Sequence, residues 1–369
     1  MIKQEDIDEI KKRDFFANKF HYRDHDDVET RLELGEWPEE EVFLTIILPV
    51  YDHPIDFIIR AIKSVISQKT TFSYMLLISD DFASDRRINE VENYIRNNWD
   101  DHILYYKNEK NIGVFGNWNR AIELSRSKWI AMLHSDDFLR PNYLQNMCKI
   151  VLEHDEIDQL ACKYTMINYI KGNVDEKKYM KPLTGEYSLR KVDYREYFYE
   201  MYTSVKGSMI KRQTLIDLGG FRSQGDGLGL DDYPLMMRYA KTYNTYYLDA
   251  DLYIDSWGYN DSLNPKHWYP ELISNYYMWK NMESYRNKII RWIYDKNDAA
   301  CMLKRASEYA NGTSWIGEKI DVDFDELCTI CDINLYRTKP ILSFLCNLFV
   351  RIDQKIIKIS MKKQKIMIK

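Results

Sequence analysis

The sequence has 369 residues, with 52 Lys and Arg against 57 Asp and Glu and a net charge of -5. Single cores stop growing near ~250–300 residues, so one large domain with an appended region is expected. With 45% apolar and 14% aromatic residues the chain can bury a sizeable core, which excludes a disordered chain, and nothing in the charge balance suggests a nucleic-acid binder.

The first forty-two residues are charged and broken, with acidic runs at Asp24 to Asp27 and Glu39 to Glu41, and are expected to form a helical or loose leader. The Met1 end carries no basic stretch followed by an apolar one, so no secretory signal is expected. From Phe43 onward strand-like and helical runs alternate: strand Phe43 to Val50, helix Pro54 to Gln68, strand Tyr74 to Ser79, helix Asp85 to Asn97, strand Ile103 to Tyr106, helix Phe115 to Ser125 and strand Trp129 to Leu133. In the first helix Ile55, Ile58, Ile59, Ile62 and Ile66 recur at helical spacing. Such alternation implies right-handed crossovers and an α/β fold with a mostly parallel sheet covered by helices.

Ligands of open parallel sheets bind beyond the carboxyl ends of the strands. There this chain carries Pro49-Val-Tyr-Asp52, Ser79-Asp-Asp81 and His134-Ser-Asp-Asp137. Acidic groups aimed at one crevice repel one another unless a cation or several donors lie between them, so the pattern calls for a divalent metal and a hydrogen-bonding ligand. Competing readings are a helix cap near Pro141 for Asp136 and Asp137, and solvated turn acids for Asp80 and Asp81.

These stretches, taken with Ser64-Val-Ile-Ser-Gln68, Asn111-Ile-Gly113 plus Asn119, and Gly219-Gly-Phe221 followed by Asp231, Asp232 and Arg238, resemble the family 2 glycosyltransferases of GT-A fold. The resemblance runs from about Leu44 to Leu263. It implies a Rossmann-like domain over 43–263, with a nucleotide-sugar half at 43–140 and an acceptor half at 141–263, followed by a helical region at 264–369. It further implies an inverting enzyme of the kind that builds bacterial surface polysaccharides, moving a hexosyl group from a nucleoside-diphosphate sugar to a glycan or a lipid-linked glycan. Asp137 would hold Mn2+ or Mg2+, and Asp136 would contact the donor ribose or share the metal. Pro49, Tyr51, Asp52, Asp81 and Asn119 would line the donor site, and Asp232 would be the catalytic base. A carboxylate at Asp81 suits an imide N–H, hence uridine or thymidine, with a UDP-sugar as the expected donor.

The chemistry asks for those residue types. A departing diphosphate needs its charge neutralised, which a hard cation on carboxylates provides. An ordinary carboxylate at Asp232 can take the acceptor proton in concert with attack, although an acid opening the helix Tyr233 to Tyr243 also suits the helix dipole. The glycines Gly219, Gly220, Gly225, Gly227 and Gly229 suggest a loop able to close over the substrates. His134 departs from the family pattern, in which an Asp often stands at that place; it reads as a metal or phosphate contact or as a packing residue. Trp257 and His267 lie where relatives contact acceptor or diphosphate. A nucleotidyltransferase is disfavoured because the loop Tyr51-Asp-His-Pro54 lacks glycines, and an inactive sugar-nucleotide binder because Asp137 and Asp232 are both present.

Tyr276, Tyr277, Trp279 and Trp292 fit a core or a sugar-binding surface. In the tail, 340–369, Ile341, Leu345, Leu348, Ile352, Ile356 and Ile359 recur on one helical face, with Arg351, Lys355, Lys358, Lys362 and Lys365 on another. The apolar run before Arg351 is too short to span a bilayer, so the tail reads as an interfacial helix on the cytoplasmic face of a membrane or as a docked helix. The six cysteines are scattered and read as reduced, packed thiols, since the one CxxC, Cys328 and Cys331, has no partners for a zinc site.

Overall fold

The computed structural model describes residues 4–12, 27–82, 85–170, 174–198, 204–221, 232–258, 268–283, 287–314, 318–333, 340–361 and 365–368. A short helix, α1 (Gln4–Lys12), and a strand, β1 (Thr30–Leu34), precede the expected alternation. It then runs β2 (Leu44–Val50), α2 (Ile55–Ile66), β3 (Tyr74–Asp80), α3 (Asp85–Asn97), β4 (Ile103–Asn108), α4 (Gly113–Leu124) and β5 (Trp129–Met132). The second half contains β6 (Phe138–Leu139), α5 (Tyr143–Glu153), β7 (Gln159–Asn168), β8 (Tyr187–Lys191), β9 (Ser208–Lys211), α6 (Arg212–Asp217), α7 (Asp232–Thr242) and β10 (Thr245–Trp257). Helices α8 (Trp268–Glu283), α9 (Lys288–Asn311), α10 (Phe324–Ile330) and α11 (Pro340–Met361) follow, and β11 (Lys365–Ile368) comes last.

All eleven strands join one sheet in the order β1-β4-β3-β2-β5-β9-β7-β10-β8-β11, with β6 on β10. The block β4-β3-β2-β5 is parallel throughout. Strand β9 enters antiparallel between β5 and β7, and β7 and β10 are parallel again. Every residue of β2 is buried, as a strand covered on both faces requires. Leu44, Ile46, Leu48 and Val50 point into a core made with α2, α3 and α5, whereas Ile47 points into a second core on the opposite face. That second core is continuous from α4 and α7 to α8, α9 and α10, so these helices beyond residue 264 share a core with the sheet. Tyr276 and Tyr277 are buried in it, while Trp292 is exposed.

Two edges differ from the reading of the sequence. The leader supplies β1, which pairs antiparallel with β4. Here Gly35 takes a positive φ of 90°, and a Cβ would stand 2.2 Å from the Ile103 carbonyl oxygen, so only glycine allows this approach. In the tail the described helix α11 ends at Met361, and Lys365–Ile368 pairs antiparallel with β8, covering that edge of the sheet. Helix α11 packs on α9 through buried Cys346 and Val350, with Tyr294 donating to Asp353 at 2.7 Å. Ile341, Phe344, Leu345, Leu348, Ile352, Ile356 and Ile359 on α11 are exposed. No helix among the described residues is long and apolar enough to cross a membrane.

Candidate active site

Because β2, β3 and β5 are parallel, their carboxyl ends and the loops that follow meet on one side of the sheet. At the end of β3, Asp81 is almost wholly buried. One of its oxygens accepts from the Asn108 amide at 3.0 Å and from the Ile112 backbone N–H at 2.9 Å. Burial still outweighs these bonds and raises its pKa above the ordinary value. Ser79, Asn108 and Asn117 bond to one another behind it, so the strand end is a fixed polar platform.

Beyond β5 lies a buried cluster of ionisable groups. His134, Asp136 and Asp137 each present a ligand atom within 4.8 Å of the others. Asp137 is fully buried, accepting from the Tyr253 hydroxyl at 2.6 Å and from the Ser256 backbone N–H at 2.7 Å. The Lys206 ammonium stands 2.7 Å from Asp255 and 4.0 Å from Asp137. Burial, aided by repulsion from Asp136 and Asp255 and opposed by Lys206, pushes the Asp137 carboxyl well above the usual range. Asp136 is raised for the same first reason. Burial lowers the Lys206 ammonium, yet Asp137 and Asp255 outweigh it and hold its pKa above the ordinary value. His134 is pressed well below its ordinary value by burial and then by Lys206 and His53, so its 3.9 Å approach to Asp137 is a contact of a neutral ring and not an ion pair.

The donor set suits a divalent cation: two carboxylates and a neutral imidazole, with the buried His134 Nε2 lacking any hydrogen-bond partner among the described residues. The loop is held from both sides. His53, after β2, meets the Ser135 hydroxyl at 2.6 Å. Arg60 of α2 donates to the Asp136 carbonyl and, at 2.8 Å, to the Ser256 hydroxyl, while its other arm reaches Tyr169 and Glu176, each at 2.5 Å.

Residues 45–217 match the family model Glycosyl transferase family 2. The chain carries a family 2 glycosyltransferase domain. It is 24% identical over 177 residues to an uncharacterised glycosyltransferase of Methanocaldococcus jannaschii, covering 48% of this chain and 58% of that one. It is 28% identical over 142 residues to chondroitin synthase of Escherichia coli, covering 38% and 20% respectively. The chain thus spans between about a sixth and just under three fifths of the curated relatives it matches. Among solved structures, S. aureus TarS in complex with UDP-GlcNAc shares the GT-A fold at a TM-score of 0.53, with 16% identity over 79% of each chain.

The other expected residues sit on β2, on the loop after it, on α4 and at the start of α7. Pro49 lies buried in β2, just past the point where β5 stops pairing, so its missing N–H costs no ladder bond there. Tyr51 is 49% exposed and Asp52 is exposed, both on the loop after β2. The Asn119 amide engages the backbone of Phe221 at both ends, donating to its carbonyl at 2.7 Å and accepting from its N–H at 2.8 Å. Asp232 opens α7, and its carboxylate accepts from the Tyr233 N–H at 2.9 Å. Asp231, Gly225, Gly227, Gly229 and His267 lie outside the described residues. The sequence reading missed Arg60, Lys206, Tyr253 and Asp255. Asp255 alone carried a signal, as a carboxylate following the apolar run Leu252–Ile254.

Proposed function

We propose that this chain is a metal-dependent, inverting transferase that moves a hexosyl group from a UDP-sugar to a hydroxyl of a glycan or lipid-linked glycan. The observation that carries the reading is the buried Asp136–Asp137 pair at the end of β5, met by a neutral His134 with an unpartnered nitrogen. Asp137, Asp136 and His134 would hold Mn2+ or Mg2+, which when bound offsets charge on the departing diphosphate. The loops after β2 and β3, with Pro49, Tyr51, Asp52 and Asp81, would bind the nucleoside, and a UDP-GlcNAc-bound neighbour of the same fold supports a uridine donor. Asn119 would shape the same site through Phe221. Asp232 would take the acceptor proton as the hydroxyl oxygen attacks the anomeric carbon and the bond to the diphosphate breaks, which inverts the configuration.

The acceptor side of the reading places the enzyme in surface-polysaccharide synthesis at the cytoplasmic face of a membrane. Its support is the exposed apolar face of α11 together with exposed Arg351 and Lys355 on the same helix, a composition suited to an anionic lipid surface. Incubating the full chain with a panel of UDP-, dTDP- and GDP-sugars and recording the product's anomeric signals by NMR tests the activity. A UDP-sugar consumed with inversion supports the reading; retention, or turnover confined to GDP-sugars, overturns it.

A further inference from the structure

Asp136, Asp137 and Asp255 are 2%, 0% and 3% exposed, and Lys206 stands among them. Its position is built in by the chain. The Lys206 backbone bridges to Met132 at the end of β5, two residues before His134. The next residue, Gly207, has a φ of 68°, and a Cβ there would come within 2.9 Å of Tyr253, so the turn presenting the lysine requires glycine. The ammonium is bonded to Asp255 but stops 4.0 Å from the Asp137 oxygen, which accepts from Tyr253 instead. Lys206 therefore acts on Asp137 through its field rather than through a bond.

Formal charges make this placement consequential. With all three carboxylates ionised, the state in which they would hold a cation, they and the ammonium together carry -2, the complement of one divalent cation. The nearby Arg60 is paired with Glu176 at 2.5 Å and leaves that count unchanged. Without Lys206 the same space would carry -3 and attract a free cation more strongly. With it, an arriving cation meets a fixed like charge close to its ligands, and a diphosphate, which adds negative charge, relieves that repulsion.

Resting on the metal-site reading above, we propose that Lys206 is a resident counter-cation that keeps affinity for a free divalent ion low, so that metal is captured firmly only together with the nucleoside diphosphate. Lys206 is in this sense a positioning residue for the ion, not a ligand.

The test measures Mn2+ binding by electron paramagnetic resonance, with and without UDP, on the full chain. Wild type should bind Mn2+ weakly alone and at least ~10-fold more tightly with UDP. Lys206→Met should bind Mn2+ alone at least ~10-fold more tightly than wild type and lose most of the UDP effect, while Lys206→Arg should stay close to wild type. If Lys206→Met does not fold, the comparison moves to Asp255→Asn, which should bind more weakly than wild type, and to Lys206→Met with Asp255→Asn, which restores the formal count and should bind like wild type. A Lys206→Met protein that binds free Mn2+ no better than wild type, or a double variant no tighter than Asp255→Asn, overturns the proposal while leaving the metal site standing. Wild type that binds no Mn2+ even with UDP overturns the site reading, and the proposal with it.

Discussion

Replacing Asn119 with Ala separates an architectural residue from a ligand contact. The side chain is 8% exposed and closes a two-bond clamp on Phe221, whose ring stacks with Phe115 and meets Trp118 edge-on. Alanine leaves a buried N–H and a buried carbonyl without those partners. Each such group costs about 1–3 kcal/mol, so a total of ~2–4 kcal/mol is expected once partial relaxation is allowed. That is a large share of the ~5–15 kcal/mol typical of a domain. Asn119→Asp should do no better, because a carboxylate accepts from the Phe221 N–H but repels its carbonyl. Urea unfolding followed by tryptophan fluorescence reads both. A loss under ~1 kcal/mol for Asn119→Ala, with donor KM raised instead, would refute the stabilising clamp and point to a direct donor contact.

Four further outcomes follow from the same geometry. Asp232→Asn keeps its shape but cannot take a proton, so kcat should fall at least ~100-fold with UDP binding retained in calorimetry; loss of both would make it a helix-start residue only. Arg60→Lys cannot reproduce a fork that reaches Asp136, Ser256, Tyr169 and Glu176, so stability should drop by about 1–3 kcal/mol with kcat reduced; an unchanged enzyme would remove Arg60 from the support of the Asp136 loop. Ile352→Glu with Ile356→Glu, on the exposed face of α11, should cut co-sedimentation with anionic vesicles at least ~10-fold without altering the melting temperature, since neither side chain is packed. Cys148 and Cys331 have thiols pushed up by burial to about 12, so they stay protonated and inert near neutral pH, and iodoacetamide should label exposed Cys301 first in the native chain; early labelling of Cys148 or Cys331 in peptide mapping would contradict their packing.

Much of the run from β2 to β5 was legible because its signals are local. Strands buried on both faces appear as continuous apolar runs, and α2, with its isoleucines at helical spacing, fell within a residue or two of its expected limits. The acids at the ends of β3 and β5 were readable for the same reason, since each follows an apolar strand directly. What escaped depends on distant partners. Strands β1 and β11 are short and partly polar, and they exist because β4 and β8 offer open edges. Lys206 and Arg60 reach the Asp136 loop from sequence separations near seventy residues, and Asp255 from over a hundred, through side-chain contacts that no periodicity encodes. Asn119 matched a donor-site motif by spacing, but its two bonds to the Phe221 backbone join residues 102 apart, which spacing does not encode. Helix α8 buries Trp268, Tyr276 and Tyr277 and half-buries Tyr269 and Trp279, so its aromatic residues carry little amphipathic pattern to distinguish a core from a sugar-binding surface.

The central claim, sugar transfer dependent on the acidic centre after β5, is tested most directly by UDP release. Wild type and Asp137→Ala would be compared with a UDP-sugar and acceptor glycan, in Mn2+ and in excess chelator. The account predicts release by wild type in Mn2+ only, and none above background by Asp137→Ala in either condition. Full release in chelator, or an Asp137→Ala protein as active as wild type, would contradict it.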